Sequence, residues 1–209
     1  MNGVIINDEH LHELAFAQAT KAYGVNLSHQ DYLSCCAGRT DEAGFQQIAA
    51  KFSVSLPIDQ LLVEKSNYYQ KLFPTHRQSY PGVIALIKRL AKHYPLALCS
   101  SSSQSEVKMV LEGFKIHNYF SVVVTANDIT KGKPHPEPYL LTCRLLKQNP
   151  LNCLVIEDAI SGVQAAKAAG CICLAVTTTH NQEDLQLADV VMTDFGAIPT
   201  NLSKLVPVK

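Results

Sequence analysis

The chain has 209 residues, of which 47% are hydrophobic, enough for one good-sized core or for a core with a small second module. Lys+Arg and Asp+Glu are both 18, so the formal net charge is zero. The sequence therefore lacks the excess of basic residues that is typical of nucleic-acid-binding proteins. No apolar run approaches the roughly 18 residues of a membrane span, and the N-terminus has neither the basic start nor the long apolar core of a signal peptide. These features predict a soluble, cytoplasmic protein that binds neither nucleic acid nor membrane.

The start of the chain combines a short β-branched run with a long helical stretch. Gly3-Val-Ile-Ile6 predicts a strand, although only two residues precede the glycine. Residues 10–78 show helical periodicity and no convincing strand. We therefore predict a helical module over residues 10–78, inserted into a domain formed by residues 1–9 and 79–209.

From Pro81 onward the pattern changes to an alternation of strands and helices. Apolar runs at residues 96–99, 122–125, 154–156, 172–177 and 190–192 are each separated by helical or loop segments. This alternation is typical of a parallel α/β sheet. The predicted fold class is therefore α/β, with a Rossmann-like parallel sheet and an inserted α-helical domain.

The seven cysteines are odd in number, form no CxxC pair and lie partly in apolar, strand-like runs. This pattern favours free thiols in a reducing compartment over disulfides or a zinc site. The cysteines are Cys35, Cys36, Cys99, Cys143, Cys153, Cys171 and Cys173.

Two adjacent carboxylates, Glu157 and Asp158, follow the apolar run Leu154-Val-Ile156. Ligands bind beyond the carboxyl ends of the strands in parallel sheets, and two unpaired acids side by side raise each other's pKa. A Mg²⁺ ion would relieve that repulsion. The alternative is that Asp158 only caps the following helix, which we expect to begin near Val163, after a tight loop.

Ser100 and Lys133 add a hydroxyl and an ammonium at or near other strand ends. Together with a cation-binding acid pair, these groups are what a transferring phosphoryl group needs. Each has an ordinary alternative when taken alone, since Ser100 can cap a helix and Lys133 can be a solvated loop lysine.

The chain resembles the haloacid dehalogenase superfamily, in the branch that contains β-phosphoglucomutase and related sugar-phosphate phosphatases. The resemblance covers nearly the whole chain and depends on the order and spacing of five segments. They are Gly38-Arg-Thr-Asp41, Tyr80-Pro-Gly82, Leu96-Ala-Leu-Cys-Ser-Ser-Ser-Ser103, Lys131-Gly-Lys-Pro-His-Pro136 and Val155-Ile-Glu-Asp-Ala-Ile-Ser-Gly162.

The resemblance implies a site for phosphoryl transfer on a small phosphorylated metabolite, such as a sugar phosphate. A monomer is the default expectation for a capped domain of this size. Ser100, its neighbour Ser101 and Lys133 would bind the phosphoryl group. Glu157 and Asp158 would hold Mg²⁺. The resemblance also implies a third metal ligand, the main-chain carbonyl of Asn2.

In the same family the helical module is a mobile cap that closes over the substrate. Arg39 would then contact the substrate's distal phosphate or hydroxyls, and Lys65 would assist from the cap.

The chain departs from the family at its first motif, Asp-x-Asp-Gly, which supplies the nucleophile and the general acid/base. Gly3 aligns with the glycine, Asn2 takes the position of the acid/base aspartate, and the nucleophile would lie before Met1. The chain as given is therefore expected to be inactive. Three interpretations stay open: a start assigned too late, a pseudoenzyme that binds a metabolite or a partner, and an enzyme that uses another residue.

The sequence lacks the motifs of two other enzyme classes. No GxGxxG follows the first apolar run, which disfavours a dinucleotide-binding domain. No GxSxG surrounds Ser100, and His135 lies between two prolines, which disfavours a serine hydrolase.

Overall fold

A computed structural model describes residues 1–36 and 39–202. Gly38, in the segment Gly38-Arg-Thr-Asp41, lies outside the described residues. The chain divides into two compact units, an α/β unit formed by Met1–Asn7 and Ser79–Lys209, and a helical unit formed by Asp8–Gln78.

The helical unit contains α1 (Glu9–Thr20), α2 (His29–Cys35), α3 (Asp41–Phe52) and α4 (Ile58–His76). Local capping sets several of these boundaries. Gly24 ends the first helical segment in the left-handed region, with φ of 78°. Ser28 begins α2 in a reciprocal capping box with Asp31, and the Thr40 side chain caps α3. An apolar cluster that includes Phe16, Phe45, Ile48 and Leu61 forms the core of this unit.

A connected set of polar side chains crosses the helical unit. Lys65 is fully buried, and its Nζ donates to Asp41 Oδ2 at 2.7 Å and lies 2.8 Å from His12 Nδ1. His12 Nε2 lies 3.3 Å from Asp8 Oδ2, and the Tyr69 hydroxyl donates to the same carboxylate. A buried ammonium requires such partners, so these residues tie α1, α3 and α4 together.

The α/β unit alternates strands and helices as the sequence predicts. Each predicted strand after the first is present within two residues of its expected bounds. The elements are α5 (Val83–Leu90), β1 (Leu96–Cys99), α6 (Gln104–Gly113), β2 (Phe120–Val124), α7 (Glu137–Leu146), β3 (Leu154–Glu157), α8 (Ile160–Ala168), β4 (Ile172–Val176) and β5 (Val190–Met192).

The strands in the described residues form two parallel sheets, β1–β2 and β3–β4–β5. Helix α5 buries an apolar face made by Val83, Leu86, Ile87 and Leu90. A second core cluster joins α7, α8 and β4, where buried alanines and cysteines allow close packing. The predicted α/β class with parallel strands is confirmed.

The strand predicted at Gly3–Ile6 is wrong, because residues 3–5 form a turn. The Ile5 N–H donates to the Met1 carbonyl at 2.7 Å, and Gly3 has φ of 74°. Isolated bridges join Ile6 to Asn2 and to Ser79. A positive φ at the glycine reverses the chain here, and the β-branched residues that follow cannot override that turn.

The prediction of free thiols is confirmed for all seven cysteines. Burial raises the pKa of Cys143 and Cys171 to about 11 and that of Cys173 to about 12, so these side chains are neutral thiols near pH 7. Within residues 1–36 and 39–202, no helix has both the length and the apolar character needed to cross a membrane.

Candidate functional site

The carboxyl ends of β1 and β3 carry three of the predicted site residues. Ser100 follows β1, Glu157 ends β3 and Asp158 comes directly after it. These polar side chains are 5%, 5% and 7% exposed, respectively. Nearly buried polar groups at strand ends require specific partners, which identify the role of each residue.

Glu157 accepts hydrogen bonds on both carboxylate oxygens. Lys133 Nζ and the Tyr139 hydroxyl donate to Oε1, while the N–H groups of Asp158 and Ala159 lie 3.1 and 3.4 Å from Oε2. Burial alone would raise the pKa of Glu157, but the charges of the Lys133 ammonium and the Met1 α-amino group, with the hydrogen bonds from Lys133 and Tyr139, lower it to about 2. Glu157 is therefore a charged partner of Lys133.

Lys133 is not a solvated loop side chain, since only 11% of its side chain is exposed. Burial alone would lower its pKa, but the adjacent Glu157 carboxylate more than compensates and the pKa is raised. Its ammonium also lies 5.0 Å from the centre of the Tyr139 ring. Lys133 is thus held as a cation at the end of β3.

Asp158 does not cap the helix that follows it. Helix α8 begins at Ile160, three residues before the expected start, and its N-cap residue is Ala159, which makes no side-chain capping bond. The Asp158 carboxylate instead accepts from Thr179 Oγ1 at 2.6 Å. Burial, and next the negative charge of Glu157, raise the pKa of Asp158, so a cation at this carboxylate would be stabilising.

Two glycines make room for the acid pair. A Cβ atom on Gly3 would lie 1.9 Å from Asp158 Oδ2, and one on Gly162 would lie 2.1 Å from Glu157 Cδ. Only glycine allows the backbone to approach the carboxylates this closely. Glycine is therefore needed at position 162 because the Glu157 carboxylate packs against it. The loop expected at this position is wrong, since Gly162 lies in α8.

The serines after β1 link Ser100 to Asn2. The Ser102 N–H donates to Ser100 Oγ at 3.1 Å, and Ser102 Oγ donates to Asn2 Oδ1 at 3.3 Å. The cap of α6 is Ser103, in a capping box with Glu106, so Ser100 is not needed as a helix cap. Its neighbour Ser101 is exposed.

Arg39, like Lys65, belongs to the helical unit, whereas the other candidate residues lie in the α/β unit. Its side chain is exposed, and its backbone N–H donates to the Cys36 carbonyl at 3.0 Å. Lys65, of the same unit, is committed to Asp41 and His12.

Sequence reasoning missed Tyr139 and Thr179. Thr179 follows β4, in the run Thr177-Thr-Thr-His180, and polar residues after a buried strand are the same signal that identified Ser100 and Asp158. Tyr139 lies on α7 and carries no comparable signal, since a helical tyrosine is ordinarily a packing residue.

The donor set at Asp158 fits Mg²⁺ better than a metal that needs a complete protein cage. Among the described residues, no group of three or more His, Cys, Asp and Glu side chains is arranged to hold a metal ion. Mg²⁺ typically takes one or two carboxylates and completes its shell with water and substrate oxygens. Asp158 supplies one such carboxylate, and the main-chain carbonyl of Asn2 is a second oxygen of suitable chemistry.

Comparison with known proteins is consistent with this geometry. The sequence model of the haloacid dehalogenase-like hydrolases matches residues 1–176. The chain belongs to this family. The resemblance inferred from the five sequence segments is thereby confirmed, and members of the family generally use Mg²⁺.

Relatives of the chain include phosphatases of phosphorylated carbohydrates. It is 30% identical to validoxylamine A 7'-phosphate phosphatase from Streptomyces hygroscopicus subsp. limoneus, over 95% of this chain and 92% of that protein. It is 28% identical to a phosphorylated carbohydrates phosphatase from Thermotoga maritima, over 81% of this chain and 79% of that protein. Among solved structures, β-phosphoglucomutase from Clostridium difficile superposes with a TM-score of 0.79 at 25% identity, covering 95% of this chain and 90% of that one.

Proposed function

We propose that the carboxyl ends of β1 and β3 form a Mg²⁺-dependent site for the phosphoryl group of a small metabolite, of the sugar-phosphate class. The observation that carries this proposal is the arrangement at Glu157, which fixes Lys133 as a buried cation next to the Asp158 carboxylate. A buried ammonium and a carboxylate with a raised pKa are complementary to a phosphate and a divalent cation, respectively.

Each residue has a separate part in this proposal. Lys133 neutralises phosphoryl oxygens, while Glu157 keeps it charged and in place. The Ser100 hydroxyl and neighbouring backbone N–H groups orient the phosphoryl group. Asp158 and the Asn2 carbonyl would hold Mg²⁺, which supplies additional neutralisation of the phosphoryl charge when bound.

The proposed substrate class is supported by two relatives, one named for validoxylamine A 7'-phosphate and the other for phosphorylated carbohydrates. We propose Arg39 as a contact to the distal part of the substrate, because its exposed guanidinium matches phosphate and hydroxyl oxygens. The helical unit would then act as the cap that determines which metabolite is accepted.

Binding and turnover are separate in this chain. Asn2 carries an amide that can neither donate a proton to a leaving group nor take one from water. We propose that Asn2 lowers the rate of turnover while the binding of phosphate and Mg²⁺ is kept. The second candidate function, a pseudoenzyme that binds a metabolite or a partner, is favoured by the Asn2 side chain, which is engaged with Ser102.

The proposal is tested by adding back the missing groups one at a time. Phosphatase activity on a panel of sugar phosphates with Mg²⁺ is measured for four proteins: the 209-residue chain, the Asn2→Asp variant, a form with aspartate joined ahead of Met1, and a form with both changes. We expect turnover only when the added aspartate is present and the highest rate when both are. If the doubly changed form stays silent although it binds phosphate, the site is not catalytic and the pseudoenzyme reading is correct.

A further inference from the structure

Three consecutive residues after β4 are bonded to Asp158 or to the turn that packs against it. Thr179 Oγ1 lies 2.6 Å from Asp158 Oδ2 and 3.0 Å from the Asp158 carbonyl oxygen. His180 Nδ1 lies 3.1 Å from the same carbonyl oxygen and 2.9 Å from Thr179 Oγ1. The Thr178 hydroxyl donates to the Gly3 carbonyl. The segment after β4 therefore contacts both the main chain and the side chain of Asp158.

The Thr179 hydroxyl carries a single proton, and two oxygens of Asp158 are within its reach. The carboxylate oxygen Oδ2 is the closer of the two and is charged, and hydrogen bonds to charged acceptors are shorter and stronger than those to neutral carbonyls. The proton therefore goes to Oδ2. The carbonyl oxygen of Asp158 is left as an acceptor for the Nδ1–H tautomer of His180.

The two oxygens of the Asp158 carboxylate consequently differ in their surroundings. Oδ2 accepts from Thr179 and is also the atom closest to the Gly3 backbone, because a Cβ on Gly3 would lie 1.9 Å from Oδ2 and 2.8 Å from Oδ1. Within the described part of the chain, no residue donates a hydrogen bond to Oδ1. Oδ1 is therefore the oxygen that Asp158 can offer to a cation while the Thr179 bond is kept.

The number of oxygens that a carboxylate offers bears on which divalent cation it binds. Mg²⁺ demands nearly ideal octahedral geometry and keeps several of its waters, so one oxygen from a carboxylate is sufficient. Ca²⁺ takes about six to eight oxygens in a flexible shell and often binds both oxygens of a carboxylate. A carboxylate whose second oxygen is held by a hydroxyl thus suits Mg²⁺ better than Ca²⁺.

We propose that Thr179 is a positioning residue that makes Asp158 a one-oxygen ligand and thereby selects Mg²⁺ over Ca²⁺. Thr179 does not contact the cation itself. Thr178 and His180 fix the segment on either side of it, through Gly3 and through the Asp158 carbonyl, so that the hydroxyl is directed at Oδ2. The inference rests on the proposed function in one respect, that a divalent cation binds at Asp158.

The test measures cation selectivity directly, without turnover. Mn²⁺ is added to the 209-residue chain, its bound fraction is followed by electron paramagnetic resonance, and it is displaced with Mg²⁺ or with Ca²⁺. The quantity compared is the ratio of the Ca²⁺ to the Mg²⁺ concentration that displaces half of the Mn²⁺. Thr179→Val removes the hydroxyl at nearly constant shape, and Thr179→Ser keeps it. Thr179 is exposed, so its replacement leaves no cavity in the core.

We expect the original chain to release Mn²⁺ at a lower concentration of Mg²⁺ than of Ca²⁺. Thr179→Val should lower the ratio at least about tenfold, the scale on which the hydrogen-bond partners of metal ligands act, and Thr179→Ser should restore it. The matched control is Thr177→Val, in the same segment, where the N–H of Thr177 donates to the Met192 carbonyl. This control should keep the ratio of the original chain.

An unchanged ratio in Thr179→Val would overturn the proposal, even if both affinities fell together, because a purely structural role weakens the two cations alike. An equal fall in Thr177→Val would overturn it as well. Asp158→Asn separates this result from a failure of the proposed function. If Mn²⁺ does not bind to the original chain, or binds equally well to Asp158→Asn, then no cation site exists at Asp158, and the proposed function fails together with the inference.

Discussion

The Lys133 ammonium donates a hydrogen bond to Glu157 Oε1, and both side chains are almost completely removed from water. The pair connects the loop before α7 with the end of β3 and, through Tyr139, with α7 itself. Breaking a buried ion pair by removing one partner leaves an uncompensated charge, which is more costly than replacing both partners.

Replacing Lys133 by methionine should destabilise the protein by about 3–5 kcal/mol, because the Glu157 carboxylate is left buried without its cation. Denaturant unfolding measures the free-energy difference. The matched control is Lys131→Met, an exposed lysine of the same loop, which should stay within about 0.5 kcal/mol of the original. The double variant Lys133→Met/Glu157→Gln should recover part of the loss, and equal effects of Lys133→Met and Lys131→Met would exclude a buried pair.

Glu157 should also give the protein an acid-dependent component of stability. Its pKa is lowered from 4.5 to about 2 on folding, so the unfolded chain binds this proton more readily than the folded one. The contribution is complete above about pH 4.5 and is lost as the pH falls from there toward 2. Unfolding free energies measured between pH 6 and 2.5 should fall less steeply for Glu157→Gln than for the original chain; parallel curves would contradict the assignment.

The substitution Gly162→Ala discriminates between helix propensity and close packing. Position 162 lies inside α8, where alanine is favoured over glycine by about 1 kcal/mol, so propensity alone predicts stabilisation. The Glu157 carboxylate, 2.1 Å from the new Cβ, predicts the opposite sign, a loss of about 1–3 kcal/mol. Thermal unfolding decides between them, with Gly132→Ala as the control, because nothing lies within 4 Å of a Cβ at that loop position.

Lys65 should be important for the helical unit. Lys65→Met removes the partner of Asp41 and the neighbour of His12, and we expect a loss of about 2–4 kcal/mol. Hydrogen exchange should report faster opening of α1, α3 and α4, while the exposed Lys71→Met on the same helix should not change it. Unchanged exchange in Lys65→Met would mean that the polar set does not stabilise the unit.

Much of the α/β unit can be predicted from the sequence because its strands are short apolar runs followed by polar residues. The same rule located Ser100, Glu157 and Asp158, and it extends to Thr179. The burial of Lys133 cannot be predicted from this rule, because it depends on the ion pair with Glu157, which lies 24 residues further along the chain. Ion pairs between residues this far apart in the sequence are determined by the packing of the fold, and local sequence patterns do not predict them.

The errors concern two glycines whose backbone is in close contact with a buried carboxylate. Gly3–Ile6 has β-branched residues, yet Gly3 turns the chain where its backbone approaches Asp158. Gly162 resembles a loop residue in sequence, yet it lies within α8, and glycine is needed there because the Glu157 carboxylate occupies the space of a Cβ. In both cases the sequence shows the glycine but does not show which carboxylate packs against it.

The most direct test of the proposed site is calorimetric titration of the 209-residue chain with inorganic phosphate and with a hexose phosphate, each with and without Mg²⁺. We expect binding that strengthens with Mg²⁺ and depends on Asp158 and Lys133. Asp158→Asn should abolish the effect of Mg²⁺, and Lys133→Met should weaken binding at least about tenfold, whereas Lys131→Met should bind as the original chain does. Phosphate binding that is equally strong in Asp158→Asn, with or without Mg²⁺, or no binding to the original chain at all, would contradict a phosphoryl site at the ends of β1 and β3.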